Sequence, residues 1–273
     1  MIITKLQKYE KSIFRFLTAI VVCDLAMTLF TQCHREEEDD TATDNVRLTQ
    51  IYAENLSPAS ADIMFTTTKD FVWENGLLKN DHATVSTPSL GIINTIETNY
   101  YYSGNNCIEI HTTATSASSN DDIHKYFTYN GERMTKAVEI EDGDTIRIVT
   151  IHSYTDDGHV KSMTFQGIDP GIITDYELTW ENGDLTKYRV HHVVPSAEDE
   201  TYAYSYDNYP SVYTGVPLVD YIFAPNDMAF HGSKHNCLTD GEENTYANGR
   251  LVAVKNSSMN RYYTFSDGTT GRP

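Results

Sequence analysis

The stretch Leu178–Tyr188, LTWENGDLTKY, has an echo 107 positions earlier in Phe71–Asn80, FVWENGLLKN. Both place Asn-Gly between an aromatic residue and a β-rich run. Asn-Gly tolerates the positive φ angles of a tight hairpin turn and is a strong short-range hairpin signal. Related turn glycines stand at Gly76, Gly104, Gly131, Gly158 and Gly183, with gaps of 28, 27, 27 and 25 residues. Two strands of about ten residues with their turns fill such a step. Trp-Glu-Asn-Gly therefore recurs because one hairpin unit recurs. Asn208 falls one step further along without a glycine, and Gly249 and Gly268 end the series.

The intervening runs support strands. In Lys187–Val194, Tyr188, Val190, His192 and Val194 share one face, and Lys187, Arg189 and His191 share the other. No stretch after the first 32 residues carries a long helical period. The expected fold is all-β: an antiparallel meander of hairpins forming a curved sheet or partly closed barrel, packed on one face and wet on the other. Residues 210–245 break the rhythm with Leu218, Val219, Tyr221, Ile222, Phe223, Met228 and Phe230. That segment is too apolar for a free loop and is expected as a short helical or irregular insert plugging an open end of the sheet.

The chain begins with the grammar of an export signal. Lys5, Lys8, Lys11 and Arg15 precede an apolar run from Phe16 to Phe30 that is short for a membrane span, with Asp24 inside it. Leu29-Phe30-Thr31-Gln32-Cys33 looks like a lipobox, in which the cysteine is acylated and becomes the new N-terminus; Gln32 departs from the small residue that pattern favours. The expected organisation is a lipoprotein signal peptide over 1–32, an acidic tether over 33–47 and one β-meander domain over 48–273. An ordinary anchor or a cleaved signal with an incidental cysteine is the competing reading. The tether, HREEEDDTATDN, is acidic and free of large apolar residues, and similar runs mark surface export in many lipoproteins.

Of 20 basic and 39 acidic residues, four and two lie in the leader, which leaves 16 against 37 in the expected mature chain. Such a surface repels nucleic acid and anionic lipid, and it favours neutral over anionic polysaccharide. Cys107 and Cys237 are the two thiols left to the folded part. In an oxidising compartment they allow one disulfide or two separately buried thiols.

With these features the chain resembles a family of uncharacterised lipoproteins from Gram-negative gut anaerobes, a domain of unknown function with a porin-like fold. The matching residues are the leader, the Tyr-rich hairpins with Asn-Gly turns, Tyr204 and Tyr206, the apolar segment Leu218–Phe230, and His231–Leu238 (HGSKHNCL) before the strands around Gly249 and Phe265. Cys237 departs from the family's pattern. The resemblance implies a curved meander or partly closed barrel outside the membrane, with no known activity.

No motif calls for a cofactor. His231, His235 and Cys237 lie close in sequence but without a helix to present them to zinc. His191 and His192 point to opposite faces of a strand. His111, His124, His152 and His159 are scattered singly, and Glu141–Thr145 (EDGDT) reads as a hairpin turn rather than a calcium loop. No metal or catalytic residue is expected.

Trp73 and Trp180, beside hairpin turns, and Tyr202, Tyr204 and Tyr206, expected as a stripe along one strand, carry two readings. They are a contact surface for sugar rings or a protein partner, or they are cross-strand packing on the core face. The expected function is a lipid-anchored envelope protein, on the outer membrane and facing outward, joined to the membrane through the lipid on Cys33. It would serve as a non-enzymatic binding or structural module for a neutral glycan or an envelope protein. The alternative is a secreted carboxylate-dependent hydrolase acting on glycans.

Overall fold

A computed structural model describes residues 46–57, 60, 62–116, 119–168, 173–192, 199–214, 222–223, 228–239 and 241–272. The leader and Cys33, the proposed lipidation site, lie outside the described residues. The strands, in chain order, are β1 (Leu48–Leu56), β2 (Ile63–Glu74), β3 (Leu77–Thr87), β4 (Gly91–Ser103), β5 (Asn106–Ser116), β6 (Asn120–Asn130), β7 (Arg133–Glu141), β8 (Asp144–Tyr154) and β9 (Val160–Gln166). They continue as β10 (Ile173–Glu181), β11 (Asp184–His192), β12 (Glu200–Ala203), β13 (Ser205–Pro210), β14 (His235–Leu238), β15 (Glu243–Ala247), β16 (Arg250–Lys255) and β17 (Met259–Phe265). Among the described residues one four-residue helix, α1 (Met228–His231), interrupts them.

Fifteen strands form one antiparallel sheet, in the order β12 back to β1 and then β17, β16, β15. Sequential strands pair as neighbours, as a meander requires, and β1 pairs with β17, the last strand described. The sheet remains open, with β12 and β15 at its edges. The hairpin turns follow the expected chemistry. Asn75–Gly76, Asp142–Gly143, Asn182–Gly183 and Asn248–Gly249 all have positive φ at both positions, the geometry of turns whose twist matches that of the flanking strands. Glu141–Thr145 is accordingly a hairpin turn between β7 and β8.

Two expectations need correction. Asn208 does not sit in a turn but inside β13, which pairs with β14 in a separate two-stranded sheet. The stripe Tyr202-Tyr204-Tyr206 is likewise not one strand, because the chain leaves the main sheet between β12 and β13.

One face of the sheet holds the core. Leu78, Tyr100, Ile110, Val149, Met163, Leu185 and Tyr188 are among its fully buried side chains. The insert packs onto this inner face, burying Val212, Tyr213, Ile222, Phe223, Met228 and Ala229 in the same cluster. Phe223 meets Phe127 of β6 at 6.2 Å between ring centroids. Tyr213 meets Tyr263 of β17 edge-on at 6.2 Å. The insert also reaches the β10–β11 turn and the edge strand β15. Lys234 N–H donates to the Gly183 carbonyl at 3.0 Å, and the Tyr246 hydroxyl of edge strand β15 donates to Asp207 at 2.7 Å.

A polar band crosses the inner face and separates this core from a small second cluster of Ala83, Val85, Ile96 and Ala114. Lys69 pairs with Asp81 at 3.0 Å, their side chains 6% and 0% exposed. Tyr100 donates to the other Asp81 oxygen at 2.8 Å. Further round, Arg147 approaches Glu139 at 3.3 Å and Lys125 does so at 3.9 Å. Charges this deep persist because each lies beside an opposite charge.

Candidate binding site

The aromatic side chains nearest the glycine turns divide into two groups. The first group forms a repeated bond between successive hairpins. Trp73 Nε1 donates to the Leu48 carbonyl at 2.8 Å, and Tyr102 Oη to that of Leu78 at 3.0 Å. Tyr129 donates to Cys107 O at 2.8 Å, Tyr154 to Met134 O at 2.5 Å, and Trp180 to Val160 O at 2.8 Å. Tyr206 continues the series into the insert, donating to the Leu185 carbonyl at 2.7 Å.

These carbonyls are available because each hairpin carries a bulge at the same place. Trp73 opposes Leu78 while Val72 opposes Asn80, which leaves Lys79 as the extra residue. The same slip places Tyr102 opposite Cys107, Tyr129 opposite Met134, Tyr154 opposite Val160 and Trp180 opposite Leu185. A bulge interrupts the ladder locally and increases twist. The carbonyls of Leu78, Cys107, Met134, Val160 and Leu185 then accept from the aromatic of the next hairpin. Trp-Glu-Asn-Gly is therefore one form of a longer unit: aromatic, turn, apolar residue, bulge.

The ring faces of the two tryptophans are covered as well. Arg47 lies over Trp73 at 5.6 Å, and His159 stacks on Trp180 at 4.4 Å and 12°. Trp73, Trp180 and Tyr206 are thus each bonded into the frame of the sheet.

The second group stands open. Tyr202 on edge strand β12 stacks on buried Tyr188 at 4.7 Å and 19°. Tyr204 follows at 5.9 Å from Tyr188, and Phe230 of α1 meets Tyr204 edge-on at 6.2 Å. Tyr202 is 40% exposed and Phe230 37%. A half-exposed aromatic corner therefore lies where β12 meets the insert, with its rings held by the buried Tyr188. The Tyr202 hydroxyl donates to Glu200, and this bond is the main reason its pKa rises.

The thiols Cys107 and Cys237 are buried on different strands, β5 and β14, and no disulfide joins them. Cys107 stands beside the bulge of β5 and Cys237 lies within the insert, and both belong to the buried apolar cluster, so each is spent on packing. Burial pushes the Cys237 thiol up to about 12, which makes it a poor nucleophile. His231, His235 and Cys237 do not converge. His231 packs edge-on against Tyr213 at 4.2 Å, while His235 Nδ1 lies 2.8 Å from Asp184.

Sequence reading missed one constellation. His111 and His124 oppose one another directly across β5 and β6, on the outward face. The signal was the hairpin register, and that depends on a turn whose geometry the sequence does not reveal. Among the described residues, the carboxylates with displaced pKa values, Asp122, Asp157, Asp199 and Asp267, are displaced downward, the reverse of what a general acid needs.

No protein-family model matches the chain, and no curated protein matches it. Among solved structures, it is similar to a porin-like protein from Bacteroides uniformis ATCC 8492. That similarity has a TM-score of 0.48 and 16% identity, and it covers 80% of this chain and 98% of that one. The resemblance to the lipoprotein family thus rests on the sequence pattern. The outward face differs from that of a membrane-spanning barrel, which is apolar: Asp70, His82, Glu97, His111, Asp122 and His124 occupy it here, beside exposed Val72, Tyr101 and Tyr126, while the buried core side chains face inward.

Proposed function

We propose that this protein is a lipid-anchored envelope protein, attached to the outer membrane through Cys33 and facing outward, whose β-meander binds a neutral glycan without catalysis. The observation that carries the binding reading is the open corner of Tyr202, Tyr204 and Phe230. An exposed ring backed by a buried one offers a flat apolar face at low entropic cost, which suits the apolar face of a sugar. The acidity of the chain disfavours anionic polysaccharide. The lipid reading is supported by the lipobox-like Leu29–Cys33 and the acidic tether behind it.

The test is a binding screen of the full chain against neutral and acidic glycans. Binding to a neutral glycan that is lost in Tyr202→Ala and kept in Trp180→Phe is the expected result. No binding at millimolar sugar, or binding indifferent to Tyr202→Ala, contradicts it and turns the corner toward a protein partner. The anchor has a separate test: Cys33→Ser abolishes palmitate labelling and releases the protein from membranes.

A further inference from the structure

On the outward face of β5 and β6, His111 and His124 lie ring against ring, with centroids 4.1 Å apart and planes 8° apart. Their Nε2 atoms are turned toward the same carboxylate. His111 Nε2 lies 2.6 Å from Asp122 Oδ1, and His124 Nε2 lies 3.6 Å from Asp122 Oδ2. The donor atoms of all three residues fall within 4.8 Å of one another. The other nitrogen of His124, Nδ1, lies 3.0 Å from Glu109 Oε1.

The geometry points to a binding site for a first-row transition-metal dication such as zinc, held by His111, His124 and Asp122 on the outside of the sheet. Three features favour this. First, two imidazole nitrogens and a carboxylate oxygen suit zinc, nickel or copper, whereas calcium and magnesium prefer all-oxygen shells. Second, Glu109 holds Nδ1 of His124 and so leaves Nε2 for an ion, the carboxylate–histidine arrangement found behind metal-binding histidines. Third, the frame is rigid. The histidines are direct cross-strand partners in the middle of paired strands, so both Cβ atoms are fixed at the roughly 5 Å separation of opposed residues. Short side-chain rotations close the remaining distance.

The site is also reachable. The side chains of His111 and His124 are 28% exposed and that of Asp122 is 55% exposed. Three protein donors on an open face leave a fourth position to water or to a donor from another molecule, as closed structural zinc sites do not. The acidic surface concentrates dications around it. An outward capture site for a metal ion is thus a second capacity, independent of the aromatic corner.

The experiment is calorimetric titration of zinc into the purified full chain, with cobalt absorption as a geometric readout. The expected result is one zinc per chain at micromolar affinity or tighter, and cobalt bands of a four-coordinate site. His111→Ala and His124→Ala each remove this binding, and Asp122→Asn weakens it. Glu109→Ala, at the positioning residue, lowers affinity by about 10–100-fold while the cobalt spectrum stays four-coordinate. His152→Ala, another outward histidine, leaves the titration unchanged. These side chains lie outside the core, so an unchanged urea midpoint without metal verifies that each variant is folded. Absence of zinc binding up to millimolar metal, or binding undiminished in the His111→Ala/His124→Ala double variant, overturns the proposal. Equal loss in His152→Ala overturns it too, since the ion would then be held by scattered surface histidines.

Discussion

Trp180 donates its indole N–H to the backbone carbonyl of Val160 at 2.8 Å, across the boundary between two hairpins. The bond satisfies an oxygen beside the β9 bulge, and the indole half-buries itself in doing so. Replacing the ring by one of similar shape without a donor isolates that bond. Trp180→Phe is expected to lower unfolding stability by about 1–2 kcal/mol, read from the urea midpoint. Trp73→Phe, which abandons the Leu48 carbonyl, should cost a similar amount.

The turn glycines are not equivalent. Gly76 and Gly183 both have positive φ, at 79° and 84°, so alanine at either is strained by about 1–2 kcal/mol. A Cβ on Gly76 meets nothing within 4 Å, whereas one on Gly183 comes within 3.3 Å of Lys234 Cβ. Lys234 also donates its N–H to Gly183 O, so the clash falls on the seam between sheet and insert. Gly183→Ala should therefore destabilise more than Gly76→Ala, as equilibrium unfolding of the two variants will show.

The Lys69–Asp81 pair is buried on both sides. Removing one partner strands the other charge, and Lys69→Met is expected to cost about 3–5 kcal/mol. Lys69→Met combined with Asp81→Asn should recover most of the loss, because the amide oxygen still accepts from Tyr100. A double-mutant cycle in urea measures the difference.

Stability should fall with acid before the carboxylates titrate. His231 is fully buried, and desolvation, then Arg261 and Lys69, hold its pKa well below the usual 6.5. The unfolded chain takes up that proton near the usual value and the folded chain does not. Stability is therefore complete above about pH 6.5 and declines below it, at up to about 1.4 kcal/mol per pH unit for one such histidine. His159 is lowered in the same sense, chiefly by desolvation. A urea midpoint that drops from about pH 7 to about pH 5, with a shallower drop in His231→Leu, is the expected result.

The legible parts of this fold were those encoded locally. Asn75-Gly76 and Asn182-Gly183 specify their turns through backbone conformation, so the hairpins, their spacing and the antiparallel meander follow from the sequence. The insert was legible from Ile222, Phe223 and Met228, which are too apolar for solvent. Features that depend on register were not legible. The bulge after Trp73 shifts β3 by one residue, and only with that shift do the aromatics find their carbonyls. Tyr202, Tyr204 and Tyr206 look equivalent in sequence but part company where the chain leaves the main sheet. His111 and His124 are thirteen residues apart in sequence and become neighbours only once the β5–β6 pairing is fixed.

The central claim is that the recurring Trp-Glu-Asn-Gly unit is a structural bond between hairpins, leaving contact to the corner around Tyr202. The chain has two tryptophans, so its nitrogen-15 NMR spectrum carries two indole N–H signals. Their hydrogen exchange in the full chain, measured with and without a bound glycan, tests the claim most directly. The account predicts slow exchange at both indoles and no displacement of either on binding. Fast exchange of the Trp180 indole in the free protein, or protection that appears only with ligand, would contradict it and return that ring to the binding surface.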